Sequence, residues 1–236
     1  MGRAFEKRKH KMFARYDKMA KAFTKIGREI AIAVRDGGPD QGSNSRLRAA
    51  VTNAKALNMP KDRIEGAIKR ASSKDLGNFD EAIYEGYGPH GVAIVVETAT
   101  DNTTRTVANV RMYFNRGNGA LGKTGSLDFM FQRKGVFRIE KNPSLNIDEL
   151  ELEYIDFGLE SIEIDEDEIV IYTAFEDFGK MSKALHDKQI TLKKSALERL
   201  PTTFVELDET QTDEILALID KFEEDDDVQA VYHNLK

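Results

Sequence analysis

The sequence has 236 residues, of which 40% are apolar and none is cysteine or tryptophan. The lack of cysteine excludes disulfides, thiolate metal sites and thiol nucleophiles. The net charge of −6 hides an asymmetry, because residues 1–74 hold 19 Lys and Arg against 7 Asp and Glu, whereas residues 75–236 hold 16 against 34. Binding follows the local field and not the average charge, so the basic segment predicts a polyanionic partner.

The basic segment predicts an arm followed by three helices. Residues 1–17 show no sustained apolar period, which predicts a mobile arm that becomes helical on binding. From Lys18 onward, apolar residues recur at helical spacing on one side and cations lie on the opposite side. Two shorter helices are predicted around Pro60, with Arg48 on the outer face of the first and Arg63, Lys69 and Arg70 outside the second. A charged outer face is typical of any surface helix, but the local excess of cations favours a polyanion-binding head.

The rest of the chain predicts a multidomain α+β protein. Strands flank a helix over Thr103–Arg116, and a further strand is predicted over Leu127–Phe131. The next block has the order strand, helix, strand, strand, helix, strand, which is the order of a ferredoxin-like unit. After Pro201, a strand over Phe204–Leu207, a helix and a last strand complete the sheet begun before that unit. The predicted domains are a three-helix head (1–74), a discontinuous α+β middle domain (80–133 with 201–236) and an inserted ferredoxin-like domain (134–200).

The segment Gly117–Thr124 matches the phosphate-loop pattern G-x-x-x-x-G-K-[ST]. A phosphate loop lies between a buried strand and a following helix, because the helix N-terminus and the loop amides hold the phosphates together. Here a predicted helix precedes the segment and a predicted strand follows it. This order disfavours a nucleotide-dependent enzyme and favours a basic loop that touches backbone phosphate through Arg116 and Lys123.

Other catalytic signals are weak. His10, His90, His186 and His233 have no ligand spacing, and no nucleophile motif occurs. The sequence therefore predicts a non-enzymatic protein without metal or cofactor. The longest apolar runs have five residues, too short to cross a bilayer, so we expect a cytoplasmic protein with no membrane partner. A ligand-sensing or protein-interaction role for the ferredoxin-like domain remains an alternative.

Five segments share their residues and their order with one known family. They are NMPKD with IE and AIKRA (58–71), YEGYGP (84–89), DN with RT (101–106), GALG with TGS (119–126) and DDVQAVYHN (226–234). Over essentially its whole length the chain therefore resembles the YebC/PmpR family, which includes a mitochondrial translational activator of a cytochrome oxidase subunit. The opening MGRAFE differs from the GHSKW of the commonest branch and resembles a second branch.

The resemblance implies the same three domains and a non-enzymatic regulator of gene expression, a probable transcriptional regulatory protein that binds DNA. Other members act on ribosomes, so binding of ribosomal RNA or tRNA with relief of stalled translation is the alternative. The sequence shows no convincing groove-reading helix pair, which favours shaped RNA on physical grounds, and it predicts no oligomeric state. The positions that match the family's shared basic residues, and are implied to contact phosphate, are Lys7, Arg8, Lys9, Lys25, Arg28, Arg46, Arg48, Lys61, Lys69, Arg70 and Arg105.

Overall fold

The computed structural model describes residues 3–73, 79–141, 146–165 and 167–236, with side chains from residue 18 onward. Within these residues the chain forms seven α-helices and two four-stranded antiparallel sheets. The helices are α1 (Arg3–Gly37), α2 (Ser45–Ala56), α3 (Lys61–Ser72), α4 (Thr103–Arg116), α5 (Ile147–Tyr154), α6 (Phe178–Asp187) and α7 (Glu209–Glu223). The strands are β1 (Asp80–Tyr87), β2 (Ala93–Thr100), β3 (Ala120–Leu121), β4 (Phe131–Glu140), β5 (Leu159–Ile164), β6 (Glu168–Ala174), β7 (Leu192–Pro201) and β8 (Val228–His233).

The first three helices pack around one apolar core. Ile30 and Val34 of α1 meet Leu47 of α2 and Ile64 of α3, and all four side chains are buried. These residues recur at helical spacing, so burying one stripe leaves the charged faces outside. The N-terminal part of the chain is helical, as the sequence predicts.

A buried asparagine fixes the turn between α1 and α2. The side chain of Asn44 accepts a hydrogen bond from the Leu47 amide at 3.0 Å and donates to the carbonyls of Ala33 and Gly38 at 2.7 and 2.8 Å. Gly38 has a φ of 81°, a conformation that side-chain-bearing residues rarely adopt. The N-cap therefore sets the direction in which α2 leaves α1.

The predicted mobile arm differs from the structure, because the backbone is helical from Arg3 and α1 continues for 35 residues. Neither proline nor glycine occurs between Arg3 and Ile26, and the alanine, lysine, arginine and methionine residues of this stretch favour a helix. The lack of an apolar period therefore did not indicate the lack of a helix.

The first sheet has the strand order β3-β1-β2-β8, and β2 is buried on both of its faces. On one face, Val96 packs with Phe114 of α4 and Phe222 of α7. On the other face, Val95 belongs to a cluster with Leu127. A strand covered on both sides needs a continuous apolar run, which explains the sequence AIVV at its start.

The second sheet has the strand order β5-β6-β4-β7, built from consecutive elements in the order β4, α5, β5, β6, α6, β7. Helices α5 and α6 cover one face, where Tyr154 and Met181 pack with Phe137 and Ile171 of the sheet. Ala49 of α2 joins the same core, so the N-terminal helices pack directly on this part. The order of elements agrees with the sequence prediction for this segment.

The strand predicted over Leu127–Phe131 is wrong. The chain forms a short 3₁₀ turn over Asp128–Met130, and β4 begins only at Phe131. Leu127 and Phe131 are buried, but Phe129 between them is 76% exposed. The alternation of Leu127, Phe129 and Phe131 is typical of a strand, but here the turn places the side chain of Phe129 in solvent.

Two further differences concern short pairings. The predicted strand over Phe204–Leu207 is reduced to one isolated parallel bridge between Val205 and Leu235. Strand β3, whose two residues pair with Gly86 and Tyr87 at the end of β1, was not predicted. Both are contacts between distant segments, which local patterns do not reveal.

Candidate nucleic-acid interface

The outer face of α3 presents cations to solvent. Lys61, Arg63, Lys69 and Arg70 are exposed, while Ile64 on the same helix is buried. Lys61 makes only a weak surface pair, with Nζ 3.5 Å from Glu65, and its side chain remains 85% exposed. In the part of the chain that the structure describes, Lys69 and Arg70 make no ion pair. This face is therefore free to neutralise an anionic surface.

The cations on the outer side of α1, which include Lys21, Lys25 and Arg28, form a basic stripe. Two of them contact the C-terminal end of α7. Lys21 Nζ lies 3.1 Å from the carbonyl oxygen of Glu224, and Lys25 Nζ lies 2.9 Å from that of Glu223. A helix leaves unpaired carbonyls and partial negative charge at its C-terminus, so these lysines cap α7. Burial lowers the pKa of Lys25 despite the acidic residues nearby.

Asp227 joins α1 to the first sheet and to α4. Its side chain is 4% exposed, and Arg28 donates to Oδ1 at 2.8 Å while Arg105 donates to Oδ2 at 2.8 Å. Thr100 and Thr106 donate to Oδ2 at 3.1 and 2.8 Å. This carboxylate therefore has charged and neutral donors from three elements, and neither arginine is unpaired.

Arg46 and Arg48 also make internal contacts. Arg46 forms a two-pronged ion pair with Glu81 of β1. Arg48 is 9% exposed and donates to Ser182 Oγ of α6 at 3.1 Å and to the Gln41 carbonyl at 2.6 Å. Both arginines attach the N-terminal helices to the rest of the chain.

The structure thus divides the residues that the family resemblance implied. Lys61, Lys69 and Arg70 are exposed along α3, whereas Lys25, Arg28, Arg46, Arg48 and Arg105 contact other parts of the chain. The side chains of Lys7, Arg8 and Lys9 lie outside the described residues. Sequence reasoning missed Asp227 as the common partner of two of these arginines. The acidic run 223–227 was the available signal, because its charge is complementary to the stripe on α1.

The glycine-rich loop does not have the geometry of a phosphate loop. Helix α4 precedes the segment Gly117–Thr124, β3 lies within it, and a 3₁₀ turn follows it. The carboxylate of Glu85, a residue only 2% exposed, accepts hydrogen bonds from the amides of Gly125 at 3.0 Å and Leu127 at 2.7 Å. Inside the segment Gly117–Thr124, the amides of Gly119 and Gly122 donate to the carbonyls of Phe114 and Glu85 at 2.8 and 2.7 Å, so they do not point together at a phosphate. Lys123 is exposed at the tip.

Glu29 of α1 is a half-buried acid that we expect to make stability depend on pH. Burial raises the pKa of Glu29 from 4.5 to about 6, although Arg46 and Lys194 nearby lower it. The native state then holds this proton more tightly than the unfolded state, so stability is lost as pH rises from 4.5 to 6. Glu29→Gln removes the titration. The free energy of unfolding of the wild type should fall relative to the variant by about 2 kcal/mol between about pH 4 and pH 7, measured by urea denaturation. Parallel profiles of the two proteins would contradict this assignment.

The described residues contain no group of three or more His, Asp or Glu side chains suited to a metal ion. Among the helices described, none is long and apolar enough to cross a membrane.

Comparison with known proteins relates both the N-terminal helices and the α+β remainder of the chain to one family. Residues 3–74 match the family described as the TACO1/YebC protein N-terminal domain, and residues 79–235 match the TACO1/YebC second and third domain. A solved relative is similar in fold. The crystal structure of a conserved hypothetical protein from Aquifex aeolicus has a TM-score of 0.80 and 36% identity, covering 92% of this chain and 90% of that one.

Named relatives match the whole chain. A probable transcriptional regulatory protein of Cytophaga hutchinsonii is 58% identical, covering 100% of this chain and 98% of the relative. Proteins with the same name from Flavobacterium johnsoniae and Myxococcus xanthus are each 52% identical, covering 100% of this chain and 99% and 100% of the relatives. The chain therefore belongs to the TACO1/YebC family, and it is a regulatory protein rather than an enzyme.

Proposed function

We propose that this protein regulates gene expression in the cytoplasm by binding DNA, with the exposed face of α3 as its phosphate-binding surface. The observation that carries the proposal is the set of exposed cations Lys61, Lys69 and Arg70 on one helix of an otherwise acidic chain. Phosphate neutralisation by such side chains releases counterions and supplies most non-specific affinity. Lys7, Arg8 and Lys9, which the family resemblance implies, belong to the same proposed set of phosphate contacts.

The proposal assigns different tasks to the three predicted domains. The helical head (1–74) holds the phosphate-binding surface. The middle domain (80–133 with 201–236) is attached to the head by the ion pair between Asp227 and Arg28 of α1. The order and antiparallel pairing of the second sheet support a ferredoxin-like unit for residues 134–200. Both α+β parts are acidic and repel phosphate, so we expect the phosphate contacts to be made by the head.

Structured RNA, including ribosomal RNA or tRNA on the ribosome, is a second candidate partner. Asn and Gln side chains are the usual readers of adenine in the major groove, and α3 contains neither. A face of cations without amide side chains suits phosphate and shape contacts, which dominate recognition of double-stranded RNA. DNA as the partner is proposed because the relatives are named transcriptional regulatory proteins, and RNA is proposed because of the composition of α3.

Removing the exposed cations of α3 should weaken binding and its dependence on salt. For a triple variant Lys61→Ala, Lys69→Ala and Arg70→Ala, we expect the slope of log affinity against log salt to decrease by about 2.7, which is about 0.9 for each lost phosphate contact. The measurement is fluorescence anisotropy with a duplex DNA of about 30 base pairs between about 50 and 200 mM salt. A hairpin RNA of similar length, used as competitor, decides between the two partners.

A matched control removes three lysines from another helix region. Lys180, Lys183 and Lys188 lie on or directly after α6, are exposed, and make surface ion pairs. Their replacement by alanine changes the net charge equally and should leave the slope unchanged. Equal losses in the two triple variants, or binding that does not respond to salt, would refute the proposed interface.

A further inference from the structure

Helix α5 exposes two large apolar side chains to solvent. Leu152 and Ile155 are 77% and 64% exposed. Leu150 and Tyr154, on the opposite side of the same helix, are buried in the core of the second sheet. The backbone of Ile155 is still helical, and residues three apart on a helix lie side by side, so the two exposed side chains form one apolar strip. Single exposed apolar residues are ordinary, but an adjacent pair that joins no core favours a contact surface.

Acidic side chains flank this apolar strip. Asp148, Glu149 and Asp156 are exposed and lie three or four residues from Leu152, so they share its face of the helix. Lys and Arg are absent from the sequence between positions 141 and 180, a stretch that holds 13 Asp and Glu. We call Asp148, Glu149, Leu152, Ile155 and Asp156 the α5 surface.

Cations from neighbouring elements pair with other acids. Lys188, directly after α6, pairs with Glu153, which points to a different side of α5. Lys134 of β4 pairs with Glu160 of β5. Among the described residues, none of the three acids of the α5 surface makes an ion pair. Their charges therefore border the apolar strip without an internal partner.

The surroundings of the α5 surface leave it open to a partner. Helix α5 lies over β5, the outermost strand of the second sheet, and β5 pairs with β6 alone in the described structure. At the end of β5, Ile164 is 55% exposed. The N-terminal helices pack at the other end of this sheet, where α2 contacts β7 and α6. The α5 surface is therefore separate from the head and from the cations of α3.

We propose that the α5 surface binds a basic amphipathic segment of a partner protein. Its apolar side chains cover Leu152 and Ile155, and its Lys or Arg side chains pair with the flanking acids. Amphipathic segments commonly dock on an apolar strip in this way, and the charged border selects the partner. Acids repel the phosphates of nucleic acid and the anionic surface of a membrane, so charge disfavours both as occupants.

A second copy of this chain is less suited to the α5 surface. Its head is basic, but α2 and α3 bury their apolar stripes in their own core. They therefore offer cations without the apolar side chains that would cover Leu152 and Ile155. The inference goes beyond the proposed function, because it adds a protein partner at a surface that nucleic-acid binding does not use.

The first test uses a fluorescent peptide of about 18 residues, roughly five helical turns, with leucine and lysine at amphipathic spacing. Its binding to the full chain should weaken about tenfold or more in the variant Leu152→Ala with Ile155→Ala, because a few apolar anchors dominate an interface. Alanine favours a helix, so thermal unfolding should not change. The matched control, Leu57→Ala with Leu216→Ala, removes side chains that are 46% and 44% exposed elsewhere and should bind like the wild type.

A second pair of variants tests the charged border. Asp148→Asn with Asp156→Asn should weaken peptide binding severalfold at low salt and should flatten its dependence on salt. Asp213→Asn with Asp220→Asn on α7 changes the net charge equally, at exposed positions that flank Leu216, and should leave binding unchanged. Equal losses in the two pairs would show that the peptide responds only to the overall charge of the chain, which would overturn the inference.

Cross-linking in cells tests the chemistry of the natural partner. A photoreactive amino acid in place of Leu152 should attach to protein segments rich in Lys and Arg, and Asp148→Asn with Asp156→Asn should abolish the attachment. The same photoreactive group in place of Leu216 is the control and should not attach to these segments. Attachment from position 152 to nucleic acid, to neutral or acidic segments, or to residues 1–74 of a second copy would contradict the inference, as would the absence of attached protein.

The two proposals fail separately. The triple variant of Lys61, Lys69 and Arg70 should bind the peptide like the wild type, because these cations lie on α3 and not near α5. Conversely, Leu152→Ala with Ile155→Ala should leave the affinity for duplex DNA and its salt dependence unchanged. Peptide binding that is lost in the triple variant would place the peptide on the head and would overturn the assignment to α5.

Discussion

Replacing Asp227 with alanine should lower the free energy of unfolding by about 3–5 kcal/mol, the usual cost of removing one partner of a buried ion pair. The change leaves Arg28 without its carboxylate in a half-buried position and leaves Thr100 and Thr106 without an acceptor. Arg105 loses its three hydrogen bonds to Asp227 as well and keeps its contact with Asp101. Urea denaturation followed by circular dichroism measures the effect.

The neighbouring residue gives a matched control for this substitution. Asp226 is exposed and contributes its backbone carbonyl to Arg28, which Asp226→Ala preserves. We expect the control to change the free energy of unfolding by less than about 0.5 kcal/mol. Similar losses in the two variants would show that local charge, and not the buried Asp227 carboxylate, fastens α1 to the first sheet.

The pH profile gives a second readout for Asp227. Burial by itself raises the pKa of this carboxyl, but hydrogen bonds from Arg105, Thr106, Arg28 and Thr100 outweigh burial and hold the pKa below its ordinary value. Its contribution to stability is therefore complete above the pKa of the unfolded chain, near about 4, and is lost as pH falls through the lower native pKa. The stability difference between wild type and Asp227→Ala should shrink in acid.

Replacing Glu85 with alanine should lower the free energy of unfolding by about 2–4 kcal/mol, because an unsatisfied buried donor costs about 1–3 kcal/mol. The amides of Gly125 and Leu127 lose their common acceptor, and Leu127 is fully buried. The loop that positions Phe129 should then open. Amide hydrogen exchange at Leu127 should accelerate accordingly, and denaturation measures the global cost.

Glu81, on the same strand, is the control for Glu85. Its side chain is 45% exposed, and its ion pair with Arg46 lies at the surface. Exposed pairs contribute about 0–1 kcal/mol, so Glu81→Ala should have a small effect and should leave exchange at Leu127 unchanged. If Glu85→Ala behaved like Glu81→Ala, the internal carboxylate would not be what orders the loop.

Local signals in the sequence predicted the regular elements well. Helix α4 was predicted over Thr103–Arg116, and the structure has the same ends, with Asn102 as N-cap and Gly117 as C-cap. The turn at Phe129 was missed for the opposite reason. The group that bends the chain there is Glu85, about 40 residues away, and no local pattern contains it.

The candidate site shows the same limit. Helical spacing correctly placed Lys69 and Arg70 on the exposed face of α3, because that face packs on nothing in the described structure. Spacing also placed Arg48 on an outer face of α2, yet α6 packs there and buries it against Ser182. A charge pattern identifies which side of a helix avoids its own core, but it does not identify which neighbouring element covers that side.

The contact between α1 and the end of α7 has a practical consequence for fragments of this protein. A fragment that stops near residue 73 would lack the carbonyls and the carboxylate that occupy Lys21, Lys25 and Arg28 in the whole chain. Its stripe would be uncovered, and it would attract polyanions through side chains that the intact protein uses internally. Affinities measured on such a fragment would exceed those of the intact protein, and they would assign binding to the wrong helix.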